Sequence, residues 1–91
     1  MNQQEARKQL EKGLFVTNDL ALSSALLALD FILCDLDFAD PKKASFVFVE
    51  DQELREAVRD YWDNKLLVNP RLYFNTLKDL KSRIYTHKYA S

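Results

Sequence analysis

The 91-residue chain has one cysteine, Cys34, and one histidine, His87, and these two counts remove several kinds of chemistry at once. A lone cysteine cannot close an intramolecular disulfide, and with a single histidine it cannot complete a structural zinc site. The expected setting is therefore reducing and intracellular. Long apolar runs are also missing, since every run is shorter and more interrupted than the roughly 20 residues that cross a bilayer. The opening MNQQEARKQLEKG has no apolar core between its charges, so neither a signal peptide nor a membrane anchor is expected there. A cytoplasmic protein without membrane contact follows as the expectation. Internal repeats and low-complexity segments are absent as well.

What the chain does have is apolar material: 47% of residues are hydrophobic and 12% aromatic, enough for one compact core and against intrinsic disorder. Ninety-one residues lie near the lower edge of what folds alone, because small domains bury a smaller fraction of their surface. An apolar face left uncovered would have to meet a partner. Charge is balanced in total but not along the chain. Residues 1–64 hold 7 Lys or Arg against 13 Asp or Glu, and residues 65–91 hold 6 against 1. Pairing of the two halves within the fold is the expected origin of this asymmetry, ahead of two surfaces for different partners.

Residues 1–13 read as a short polar helix stopped by Gly13, and residues 14–91 as a single compact domain. Leu14–Val16 reads as a strand. Thr17 or Asn18 is expected to cap a helix from about Asp19 to Leu29, whose apolar residues cover more than one stripe. In FILCDLDF, residues 31–38, alternation places Ile32, Cys34, Leu36 and Phe38 toward the core and Phe31, Leu33, Asp35 and Asp37 outward. ADPKKA at 39–44 is a turn and SFVFVE at 45–50 a hairpin strand. Asp51 caps a helix with Leu54, Val58 and Tyr61 or Trp62 inward, and Asn69 followed by Pro70 opens a last helix reaching about His87, on which Tyr73, Leu77, Leu80 and Ile84 form an apolar stripe. The order α-β-α-β-β-α-α predicts an α/β (α+β) fold: a small three-stranded mixed sheet covered by helices, its first two strands parallel through a right-handed crossover.

Catalytic constellations are not found. A phosphate cradle at the TNDL corner would need glycines and commonly a lysine, and Asp19 there suits a helix start better. Asp35, Asp37 and Glu50 could resemble a nuclease metal cluster, but Gln52 stands where a restriction-like nuclease would carry its lysine. Aspartates on an edge strand are expected to keep the sheet soluble. A Cys34–His87 pair would need the tail to fold back onto the sheet. No enzyme activity, cofactor or metal is therefore expected.

Several stretches taken together resemble a known family. The run FVTNDLALSSALLALDF, the SFVFVE strand, the pair Tyr61–Trp62 and PRLYFNTLKDLKSR are similar to a small family of uncharacterised bacterial and bacteriophage proteins catalogued as a domain of unknown function. The resemblance spans about residues 14–84 and implies a phage, mobile-element or bacterial origin, with no activity carried over. Its members often have a glycine near the end of the first core helix, where this chain has Asp30.

The expected function is a non-enzymatic interaction module, a phage or mobile-element accessory protein that binds another protein or itself. Leu22 and Leu26 lie on a helix too apolar for one neighbour to cover, with the sheet expected on one face and another helix or another subunit on the other, and they are the candidate contacts for a partner or a homodimer. Two alternatives rest on charge. On the last helix Arg71, Lys78, Lys81, Tyr85 and Lys88 gather on one basic, aromatic face that could bind nucleic acid; the bland reading is a solvated face paired with Glu53, Glu56 and Asp60. Asp51, Glu53, Glu56, Asp60 and Asp63 form an acidic face with which a phage inhibitor could imitate nucleic acid toward a host defence or nucleic-acid-handling protein.

Overall fold

A computed structural model describes residues 13–89, so the polar helix expected over residues 1–13 lies, but for Gly13, outside the described residues. The elements run β1 (Leu14–Thr17), α1 (Leu20–Ala28), β2 (Leu33–Asp37), β3 (Ser45–Val49), α2 (Gln52–Trp62) and α3 (Pro70–Tyr89). The fold is α+β, with elements in the order the sequence implies. In the sheet, β3 lies between β1 and β2 and is antiparallel to both. The outer strands therefore run parallel to each other, as the strand–helix–strand crossover requires, yet every hydrogen-bonded pair is antiparallel. The hairpin strand takes the central place because Phe46 and Phe48, both buried, need cover on each side.

Each helix starts at a side-chain cap. Asp19, rather than Thr17 or Asn18, caps α1: its Oδ1 accepts from the Leu22 amide at 3.0 Å. Thr17 accepts from the Asp19 amide, while the Asn18 side chain donates to Ala44 O and Ser45 Oγ, both at 2.9 Å. The corner thus ties the end of β1 to the start of β3. Asp51 Oδ1 accepts from Leu54 N at 2.8 Å, and Asn69 Oδ1 accepts from the amides of Arg71 and Leu72 at 3.0 Å each. Replacing Asp51 with Ala should lower stability by about 1 kcal/mol without changing the fold, readable as a lower urea midpoint at an unchanged slope. The helix ends are similarly specific. Asp30 and Asn64 adopt φ of 69° and 61°, and the amides that follow fold back onto Leu26 O and Asp60 O. Asp30 thus takes the left-handed conformation that glycine adopts most readily.

The core joins one face of the sheet to all three helices: Leu22 and Leu26 of α1, Leu54 and Ala57 of α2, and Leu80 of α3 pack with Phe46 and Phe48. Five consecutive residues of α1, Leu22 to Leu26, are buried. The buried Ser23 and Ser24 are tolerated because their hydroxyls donate to Asp19 O and Leu20 O one turn back, at 2.8 Å each.

Strand β2 departs from the expected alternation. Leu33 pairs with Phe48 and Asp35 with Val47, so Cys34 is the extra residue of a β-bulge. The bulge shifts the parity: Leu33 and Leu36 both pack on the core, while Cys34 and Ile32 are exposed. Cys34 and Ile32 are therefore not core residues, and Phe31 and Leu33, expected outward, pack against the core instead. On α2, Tyr61 packs inward and Trp62 is exposed, with the two rings edge to face at 5.0 Å.

Candidate nucleic-acid interface

Helix α3 buries Leu80 and half-buries Tyr73, Leu77 and Ile84, the expected inward stripe. On one flank Asp79 and Arg83 form an ion pair at 3.2 Å. The other flank is different. Arg71, Phe74, Lys78, Lys81, Tyr85 and Lys88 follow one another at alternating steps of three and four, the spacing that keeps residues on one helix face. All six are exposed, and the stripe runs about 26 Å at 1.5 Å per residue. Every helical turn thus offers a cation, an aromatic ring, or both.

The rings and cations touch. Lys78 Nζ lies 5.5 Å from the centroid of Phe74, Lys88 Nζ lies 5.6 Å from that of Tyr89, and the rings of Tyr85 and Tyr89 are 4.7 Å apart. Phe74 and Tyr85 expose 57% and 66% of their surface, so both rings are open to solvent on the same face as the cations. Among the described residues, neither of the two ion pairs, Arg55–Glu50 and Arg83–Asp79, involves a cation of the stripe. The expected pairing of the basic helix with Glu53, Glu56 and Asp60 is thus not found. Both ion pairs are local, so the charge asymmetry remains as two separate surfaces.

The tip of the β2–β3 hairpin adds to the basic side. Lys42 and Lys43 join Ile84, His87 and Lys88 around an open cleft of ≈ 290 Å³. Phe38 forms its wall, its ring stacked on that of His87 at 3.7 Å and 11°. The cleft that holds His87 does not include Cys34, so no nucleophile–base pair is assembled there.

The other candidate residues fall as follows. Leu22 and Leu26 expose 1% and 0% of their surface within a single chain, so they are core residues and not contacts for a partner. Helices α2 and α3 and the sheet together cover what one neighbour could not. On α2, Glu53, Glu56, Asp60 and Asp63 are exposed and share a face, but Asp51 is committed to its cap. Asp35 and Asp37 are exposed on the edge strand β2, Asp37 Oδ1 accepts from the Ala39 amide, and Glu50 lies 3.6 Å from Arg55. Among the described residues no three metal-ligating side chains come together. Burial, then the charge of Asp19 and the neighbouring Tyr73, raise the Tyr61 phenol above its ordinary pKa, and the ring borders a shallow, mostly apolar hollow.

Phe74, Lys42 and Lys43 were not legible as site residues. Phe74 could have been found by continuing the three-and-four spacing one step back from Lys78. The lysines of the hairpin tip reach α3 only through the fold.

These features define a small two-layer α+β domain, helices on one face of an antiparallel sheet, whose densest grouping of cations and rings lies along a helix surface. The chain belongs to the family described as Domain of unknown function (DUF5659), whose model matches residues 12–86. Neither the curated proteins nor the solved structures give a match. No helix among the described residues is long and apolar enough to cross a membrane.

Proposed function

We propose that the protein is a non-enzymatic nucleic-acid-binding module that holds a single strand along α3. The observation that carries this reading is the stripe of Arg71, Lys78, Lys81 and Lys88, without carboxylate partners among the described residues and interleaved with the exposed rings of Phe74 and Tyr85. Ammonium and guanidinium groups spaced one or two turns apart neutralise backbone phosphates, while exposed rings accept unstacked bases. A duplex offers no free base faces, so single strands are preferred. The setting we infer is that of an accessory factor of a phage or other mobile element, acting in the bacterial cytoplasm.

A gel-shift series with single-stranded and duplex probes tests this. Retardation of the single strand is expected by about 10 µM protein at about 50 mM salt, where non-specific phosphate binding is already visible. Tyr85→Ala should cost about 1–3 kcal/mol of that affinity if a base stacks on the ring. A wild-type protein that retards no probe under these conditions refutes the proposal.

A separate observation favours protein binding as a second reading. Leu14 and Val16 of the edge strand β1 are 60% and 56% exposed and pair with Val49 and Val47, which gives the outer sheet face an apolar side. A partner protein or a second copy would meet the domain there, on the side of the sheet away from its helices.

A further inference from the structure

The cleft at the C-terminal end of α3 is chemically distinct from the stripe that leads to it. Along the stripe, cations are separated by one or two helical turns, the arrangement for single charges of a phosphodiester backbone. At the cleft, Lys42, Lys43 and Lys88 converge on one space, with His87 held in place by its stacking on Phe38. Asp40 also lines this space, and its Oδ1 accepts from the Lys42 amide at 2.8 Å, which shapes the hairpin tip. Three lysines therefore line the cleft against one carboxylate. Complementing the negative end of α3 accounts for His87 and Lys88 but not for two lysines brought from the hairpin.

We propose that this cleft binds a phosphomonoester: the terminal phosphate of a strand lying along α3, or the phosphate of a mononucleotide. The first source rests on the nucleic-acid reading, and the second does not. A monoester carries up to two charges and three non-bridging oxygens at one point, which suits three convergent donors better than a diester does. The ≈ 290 Å³ of the cleft accommodates a phosphate and part of its sugar, near the lower limit of small-ligand sites. The carbonyl end of α3 disfavours an anion, and the lysines outweigh it by number and by proximity.

Fluorescence anisotropy with one single-stranded sequence, bearing a 5′-phosphate, a 3′-phosphate or neither, tests the inference. Wild-type protein should bind one phosphorylated form on the order of tenfold more tightly than the unphosphorylated strand. The gain should vanish in Lys42→Ala/Lys43→Ala and persist as a ratio in Lys78→Ala/Lys81→Ala, whose overall affinity is lower. Equal affinity for all three strands, with adenosine monophosphate causing no amide shifts at Lys42, Lys43 and His87, overturns the inference and leaves the proposed function standing. If no strand binds at all, the proposed function fails. Adenosine monophosphate then decides alone: saturable shifts at those three amides support the cleft as a phosphomonoester site, and their absence overturns it.

Discussion

Leu26→Glu is expected to abolish cooperative folding. Leu26 is fully buried among Leu22, Phe46, Phe48, Leu54 and Leu80, at the point where all three helices meet the sheet. A domain of this size has a stability of roughly 5–14 kcal/mol. Truncating a buried leucine alone costs about 2–5 kcal/mol, and placing a carboxylate in the same space adds a desolvation penalty of several kcal/mol or forces its protonation. The two together approach or exceed the whole stability. Leu26→Ala separates this packing role from a role in assembly. It should remain folded, lose about 2–5 kcal/mol in urea titration, and sediment as the wild type does. A Leu26→Glu protein that stayed folded and changed only its sedimentation would show the helix to be an interface, contrary to its burial within one chain.

Which parts of the molecule were legible in the sequence follows from which interactions are local. The caps at Asp51 and Asn69 were readable because a carboxylate or amide three residues before a helical amide has one obvious use. The inward stripe of α3 was readable for the same reason, since periodicity is a property of the helix itself. The sheet was harder. Local sequence implied three strands in the right order, but nothing in it states that β3 inserts between β1 and β2. At β2 a strict period of two misassigned Phe31, Ile32, Leu33 and Cys34, because one inserted residue reverses the face of everything before it. The bulge leaves no composition signal beyond the imperfect alternation of FILCDLDF.

Helix α1 shows a different limit. Its all-round apolar character was correctly read as burial on more than one side, yet the coverage comes from α2, α3 and the sheet rather than from a partner. A pattern reports that a face is buried, not what buries it. The same holds for charge: the opposed halves of the chain suggested mutual pairing, but both ion pairs found lie within their own neighbourhoods. The basic stripe of α3 and the acidic face of α2 are consequently two surfaces, and only the basic one carries exposed rings along its length.

Charge reversal at Lys78 and Lys81 should weaken binding of a single strand by about two orders of magnitude or more, the largest functional effect expected from any pair of substitutions. Both side chains are exposed in the middle of the stripe, so their replacement leaves the core untouched and should change stability by no more than a few tenths of a kcal/mol. The loss has two parts: two phosphate contacts disappear, and two carboxylates then repel the strand from the centre of its path. Salt dependence tests the count. Four cations on the stripe, at roughly 0.7 counterions released per phosphate of a single strand, give a slope of about −3 in log affinity against log salt. Lys78→Ala/Lys81→Ala should reduce the slope to about −1.4, a change that general destabilisation would not produce. Net charge alone must also be separated from site. Arg55→Glu/Arg59→Glu on α2 changes the total charge by the same amount as the reversal at Lys78 and Lys81, but away from the stripe. It should therefore lose far less affinity. Equal losses in the two charge-reversed proteins would mean that the strand responds to overall charge, and α3 would then have no special role in holding it.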